Sequence, residues 1–207
     1  MSWLFAAAYD PFMRKSEEAC LRAWRRELLA PLEGRVLEIG AGTGANLPFY
    51  PRSLARLVLT DPDRHMQRRL EEASRAGGAA PPVEVAPATA DALPFEAGSF
   101  DAVVSTLVLC SVPDLARTLD EVRRVLRPGG TLVFLEHVAA EDRPSRLAWQ
   151  RRLEPVWRRL AGNCHLTRRT DEAIRAAGFS FDRLTRASMQ KALPFVRPTI
   201  RGVARAT

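Results

Sequence analysis

The run Val36-Leu37-Glu38-Ile39-Gly40-Ala41-Gly42-Thr43-Gly44 is where this 207-residue chain concentrates its chemistry. An apolar stretch carrying one carboxylate enters a turn with glycines at 40, 42 and 44, and a helix-like segment follows. Beyond the carboxyl end of a strand, such glycines let the backbone bend sharply and come close to a ligand. The turn lacks the Gly-Lys-Ser/Thr that closes a phosphate loop, and its spacing is not the Gly-x-Gly-x-x-Gly of dinucleotide enzymes. Glu38, at the mouth of the turn, either holds a ligand ammonium, directly or through water, or organises the loop. Asp61 follows about 20 residues on, where a carboxylate accepts hydrogen bonds from ribose hydroxyls. Its other reading is the N-cap of the helix after Pro62. Asp91, in Asp91-Ala92-Leu93-Pro94-Phe95, either accepts from the exocyclic amine of adenine, with Leu93 closing over the ring, or satisfies its own turn.

These residues need strands that end together. Arg35–Ile39 and Ala55–Thr60 read as strands, the second with Leu57-Val58-Leu59 unbroken and therefore buried on both faces. His65–Arg75 reads as a helix stopped by Gly77-Gly78 and Pro81-Pro82, and Val83–Ala86 as a short third strand. Ala102–Leu109 is the strongest strand signal, followed by a helix over Leu115–Leu126, a turn at Pro128-Gly129-Gly130 and a strand over Thr131–Glu136. A helix over Thr170–Ala177 precedes strands at Phe179–Leu184 and Phe195–Ala204, and Pro198 argues for an edge or a bulge in the last. At the front, Glu17–Leu29 has helical apolar spacing. Alternation of this kind predicts one α/β domain over 1–207, with a helical lid over 1–31 and a helical insertion over 142–169 at the site.

A formal charge of +7 comes almost entirely from arginines scattered over most helices, a pattern without the focused face that nucleic acid requires. No nucleic-acid partner is expected. Cys20, Cys110 and Cys164 are odd in number and far apart, and with three histidines they show no compact ligand spacing, so neither a disulfide framework nor a metal is expected. A reducing, cytoplasmic setting follows. The apolar start, Trp3–Ala8, is far shorter than the roughly 20 residues a bilayer demands. It leaves peripheral membrane contact open, and nothing in the sequence sets the oligomeric state.

Four stretches together resemble the class I S-adenosylmethionine-dependent methyltransferases: VLEIGAGTG at 36–44, LTDPD at 59–63, ADALPFEAGSFDAVVS at 90–105 and VRRVLRPGG at 122–130. The resemblance implies a Rossmann-like, seven-stranded, mostly parallel sheet with its last strand antiparallel and helices on both faces. By it, Glu38, Gly40, Ala41 and Gly42 border the methionine portion of S-adenosyl-L-methionine, Asp61 the ribose, and Asp91 with Ala92 the adenine. Pro62 and Leu93 border the adenosine pocket, and Ser105 and Thr106 lie near the methionine end. A narrower likeness rests on TGANLPFYP at 43–51, STLVLCSVPD at 105–114, LEHVAAEDR at 135–143 and CHLTR at 164–168. These resemble the methyltransferase-like 7 group, whose characterised members are thiol S-methyltransferases. Animal members carry a longer apolar N-terminal anchor, so their membrane location is not expected to carry over.

The implied reaction is in-line transfer of a methyl group to a small, fairly apolar thiol. O- or C-methylation of a small aromatic or isoprenoid-like metabolite is the alternative, and a non-catalytic nucleic-acid-binding or regulatory module a more distant one. His137, just after the fifth strand, either takes a proton from the acceptor or orders Glu136 and its loop. His165 is a candidate wall residue or base, beside Cys164 in a turn. An amphipathic segment over Arg146–Leu160, broken or bent near Pro155, either puts Trp149 or Trp157 over the acceptor or packs on the sheet. Tyr9 and Phe12 supply the opposite wall if the N-terminal helix folds across.

Overall fold

The computed structural model describes residues 3–76 and 83–207, with side chains from Asp10 onward. Seven strands form one sheet: β1 (Arg35–Ile39), β2 (Arg56–Thr60), β3 (Val83–Ala86), β4 (Phe100–Thr106), β5 (Leu126–His137), β6 (Phe179–Ser188) and β7 (Pro198–Ala206). Their order is β3-β2-β1-β4-β5-β7-β6. The first five pair in parallel, whereas β7 runs antiparallel to both β5 and β6. The expected class is the observed one: an α/β sheet, mostly parallel, with helices around it.

Continuous apolar runs make the central strands because both faces are covered. Along β4, Val103 belongs to the core on one face and Val104 to the core on the other. The first core receives α4 (Leu115–Val125) through Leu119, Val122 and Val125, and α6 (Thr170–Ala176) through Ile174. The opposite core receives α2 (Arg22–Leu29) through Leu28 and Leu29, and α3 (Arg64–Ala76) through Leu70. α1 (Trp3–Ser16) runs into α2 through a π-helical turn at Glu17–Leu21, so the front of the chain is helical well before the Glu17 expected from spacing. The stop expected at Gly77-Gly78 and Pro81-Pro82 lies outside the described residues.

Two local expectations are corrected. Pro198 does not mark an edge: β7 is interior, between β5 and β6, and Pro198 opens the strand opposite Ser188. A first residue can lack an N–H without breaking the ladder. Nor does Pro155 end its helix, since α5 (Pro144–Leu160) continues through it. α5 is pinned to the sheet by the buried Gln150, which accepts from Ala140 N at 2.7 Å and donates to the carbonyls of Val138 and Phe195 at 3.1 and 2.9 Å.

Candidate active site

Strand order reverses direction between β1 and β4, and there the carboxyl ends open a crevice. A cavity of about 620 Å³ lies across it. Its wall takes Asp91 from beyond β3, Asp61 from the end of β2, Glu38 from β1, Thr106 from β4 and His137 from β5. Five strands at ~4.8 Å spacing span about 19 Å, the length of an extended nucleoside conjugate.

On the β1–β2 side the Glu38 and Asp61 carboxylates are both engaged. Gly40 and Gly42 both have left-handed backbones, φ +59° and +58°. A Cβ on Gly40 would strike Val108 at 2.6 Å, whereas at Gly42 nothing lies nearer than the Gly40 carbonyl at 4.0 Å. Gly42 thus faces open space in the wall. Asp61 is buried and accepts from Gly42 N at 3.0 Å and Asp63 N at 2.9 Å. Capping of α3 falls to Asp63, whose carboxylate accepts from His65 N and Met66 N, so the N-cap reading of Asp61 is set aside. Burial first, opposed by those two backbone donors, pushes the Asp61 carboxyl up. Asp91 lines the cavity, and among the described residues no hydrogen bond engages its carboxylate. Pro62 and Ala41 also line the wall.

Glu38 is buried beneath the loop, accepting from Asn46 Nδ2 and Tyr50 OH, each at 2.7 Å. Desolvation pushes its pKa to about 7 against the pull of these bonds. Arg25, reaching in from α2, donates to Asn46 Oδ1 at 2.6 Å and Thr106 Oγ1 at 3.0 Å and pairs with Glu17 at 2.8 Å. The π-helical turn before α2 sets the rotation of this helix, and such turns recur at functional sites. α1 crosses the same loop: Asp10 accepts from Thr43 Oγ1 at 2.7 Å and Arg69 Nη2 at 2.9 Å. Spacing in the sequence does not mark Arg25, Asn46 or Tyr50 as site residues. The available signal was an arginine placed among Cys20, Leu21, Leu28 and Leu29, on the apolar face of its helix.

The β4–β5 side is built differently. Glu136 is fully buried, accepting from Ser105 Oγ at 2.7 Å, Val108 N at 3.2 Å and Cys110 N at 3.4 Å. Desolvation raises its pKa to about 7. Glu136 thereby fixes the 107–110 loop, in which Leu107 holds a left-handed φ of +61°, a strained conformation for a branched residue. Ser105 works from beneath: it is buried outside the cavity wall. Beyond the loop, Cys110, His137, Trp157 and Cys164 line the cavity. Two buried nitrogens here lack a partner among the described residues, His137 Nε2 and Trp157 Nε1. Cys164 Sγ lies 3.9 Å from His137 Nδ1 and 3.8 Å from Cys110 Sγ. The Cys110 thiol is pushed up and the Cys164 thiol pulled down, each first by its contact with the other.

Several expected residues sit elsewhere. His165 is off the cavity wall, its Nδ1 3.7 Å from Glu154 and its backbone N–H on the Cys110 carbonyl at 2.8 Å. Burial, then Arg168 and Arg158, hold the His165 imidazole below its ordinary pKa. Trp149 is 58% exposed, on the outer face of α5, because that helix turns Gln150 and Trp157 inward instead. Leu93 is buried in the core under α4, held by Glu121 and Arg124 through its backbone, and Ala92 is exposed beside it. Phe12 lines the cavity mouth with 60% of its surface exposed. Tyr9 is on α1, and its side chain lies outside the described residues. Among the described residues, no helix is long and apolar enough to cross a membrane.

The methyltransferase-domain family profile matches residues 37–134, which run from β1 through β5. Human thiol S-methyltransferase TMT1A is 40% identical over 170 residues, 82% of this chain and 69% of that protein. Human thiol S-methyltransferase TMT1B is 41% identical over 167 residues, 75% of this chain and 67% of that protein. Among solved structures, the [4+2]-cyclase SpnF superposes with a TM-score of 0.71 at 19% identity, covering 93% of this chain and 80% of that one, a likeness of fold alone. With two fifths of its positions shared across most of its length, the chain belongs to the S-adenosylmethionine-dependent methyltransferases, in the family of the thiol S-methyltransferases.

Proposed function

We propose that this enzyme methylates a small, apolar thiol at the β4–β5 end of its cavity, with S-adenosylmethionine at the β1–β3 end. The observation that carries the reading is the contrast between those ends: on one side an acidic wall whose Glu38 and Asp61 carboxylates are hydrogen-bonded within the protein, and on the other an apolar wall with two buried nitrogens unpartnered among the described residues. The residues present fit the cofactor. Gly42 leaves free space at the wall, and Asp91 offers an unused carboxylate. Asp61 accepts from the ribose hydroxyls, and Asp91 from the adenine amine over Pro62. Glu38, Gly40, Ala41 and Thr106 surround the methionine portion. Ser105, Leu93 and Ala92 support the wall from behind. The cofactor supplies an electrophilic methyl group on a sulfonium.

Alignment is then most of what the protein must provide. A thiol near pKa 8.5 is partly ionised at neutral pH. His137, buried where the acceptor enters, promotes formation of the thiolate, and the Trp157 indole N–H donates to it. Phe12, Leu160, Met189 and Val196 line the cavity and favour an apolar substituent. The helical front of the chain and α5 act as lid and cover, with Trp157 rather than Trp149 over the acceptor. His165 orders α5 through Glu154. A hydroxyl acceptor would need a stronger base than an imidazole with no carboxylate partner. Mass spectrometry of products from a panel of hydrogen sulfide, alkyl thiols and phenols tests the reading. S-methyl products from alkyl thiols support it, and phenol methylation without thiol products overturns it.

A further inference from the structure

Residues that spacing left unrelated meet at the floor of the acceptor end. Cys110, His137 and Cys164, each at most 8% exposed, bring one ligand atom apiece to within 4.8 Å of one another. Two edges of this triangle are 3.8 Å, between the sulfurs, and 3.9 Å, between Cys164 Sγ and His137 Nδ1. A tetrahedral zinc with bonds of about 2.3 Å to sulfur and about 2.0 Å to nitrogen has edges of about 3.8 Å and about 3.5 Å. Two of the separations are therefore close to those of a coordination shell, and the third, between Cys110 and His137, must close from at most 4.8 Å toward ~3.5 Å. The 3.9 Å separation is also long for a good hydrogen bond from the thiol to the imidazole.

The three residues come from three rigid places: the Glu136-anchored loop after β4, the end of β5, and the turn after α5. The turn is tied back to the loop, since His165 N donates to the Cys110 carbonyl and Arg168 donates to the carbonyls of Leu109 and Val112 at 2.6 and 2.9 Å. The site is thus held together without the ion. Two thiolates and an imidazole are a borderline-soft donor set, suited to zinc(II) and unsuited to magnesium or calcium. Three protein ligands leave the fourth position free, as catalytic zinc sites do, and all three residues line the cavity.

We infer that Cys110, His137 and Cys164 bind one zinc(II) ion whose fourth position receives the acceptor thiol. This rests on the thiol reading above and specifies how His137 serves it: by holding the cation rather than by taking the proton itself. The acceptor enters as R–SH, its sulfur forms a bond to zinc in place of a water, and its proton leaves to that water. No redox change is involved. A metal-bound thiol is deprotonated outright near neutral pH.

The full-length protein, reduced and stripped with a chelator, is titrated with zinc(II) against a chromophoric competitor, and with cobalt(II) by absorption. The inference expects one zinc per chain and, with cobalt, tetrahedral d–d bands together with thiolate-to-metal charge transfer. C110S and C164S should each weaken zinc binding by more than about 100-fold, beyond the loss typical of a merely supporting residue. C20S, whose thiol lies elsewhere against Gln190 N, should not. Unchanged S-adenosylmethionine affinity in both serine variants would show that they fold. Absence of zinc uptake by the wild type, or uptake undiminished in C110S/C164S, overturns the inference. Thiol methylation that persists at full rate in metal-free enzyme also overturns it while leaving the thiol reading intact. Zinc bound at this site with no thiol methylated supports the site and overturns that reading.

Discussion

The two ends of the cavity are built on opposite principles. At the β1–β3 end, Glu38, Asp61, Asn46 and Arg25 are held by one another or by the glycine loop, so these side chains have partners before any ligand arrives and only the Asp91 carboxylate is left open. At the β4–β5 end, His137 Nε2 is buried with no partner among the described residues, and the buried Trp157 indole N–H faces the Cys164 thiol outside good hydrogen-bond geometry. A preorganised wall costs little to reorganise on binding and suits one invariant ligand. An unsatisfied, apolar end instead selects its occupant, because only a ligand that supplies the missing partners offsets their desolvation. On the proposed reading, the difference places cofactor affinity and acceptor choice in separable parts of one cavity.

Substitutions should respect that separation. Gly42→Val is expected to be the most damaging to cofactor binding: it forces a branched residue into φ +58° and fills the open wall. Calorimetry should find S-adenosylmethionine affinity lost by more than about 100-fold, given a cost of 1–3 kcal/mol for strain before any steric clash is added. A normal affinity would mean that the loop does not contact the cofactor. His137→Ala should do the converse, lowering thiol turnover at pH 7 by about 100-fold, the scale of losing a group that promotes the thiolate, with cofactor affinity unchanged. Raising the pH should recover part of the loss as free thiolate increases. Wild-type turnover in a folded His137→Ala variant would remove the residue from the acceptor end.

Asp61→Asn should be intermediate. One oxygen still accepts from a backbone N–H, but the amide end turns a donor toward Gly42 N or Asp63 N. A loss of about 1–3 kcal/mol in cofactor binding is expected, together with a lowered melting temperature. Unchanged affinity in a folded variant would remove the ribose role.

Glu38 sharpens the comparison by pH. Its folded pKa of about 7 lies above the ordinary 4.5, so the protonated form is favoured in the ligand-free fold. This contribution is fully present below pH 4.5 and is lost as pH rises through about 7. The melting temperature of the ligand-free protein should therefore fall over that interval, and Glu38→Gln should flatten the fall. Cofactor affinity should move the other way, rising with pH, because the positively charged methionine end favours the carboxylate. Opposite slopes in thermal melts and calorimetric titrations are the signature. Parallel slopes would place Glu38 outside the cofactor's reach.

Legibility in the sequence follows the same division. β1 and β3 matched their expected limits because short apolar runs between Gly, Pro and polar residues are local signals, and the glycine turn with Asp61 and Asp91 is read from spacing alone. What depends on distant chain segments was not legible. Pro198 opens an interior strand because β6 returns outside β7, a fact of topology rather than of propensity. Trp149 and Trp157 both carry helical apolar spacing, and only the docking of Gln150 decides which faces inward. Cys110 and Cys164 meet across 54 residues of separation, so no linear pattern could have joined them to His137. Arg25 was hidden because a buried arginine reads as one more surface charge until its partners are known.

The central claim, two ends with two ligands, is tested most directly by a crystal structure with S-adenosylhomocysteine and an alkyl thiol bound together. The account predicts adenosine at the ends of β2 and β3, with Asp61 within hydrogen-bond distance of the ribose hydroxyls, and the thiol sulfur at the floor formed by Cys110, His137 and Cys164. Adenosine at the β5 end, or a thiol bound away from His137, would contradict it.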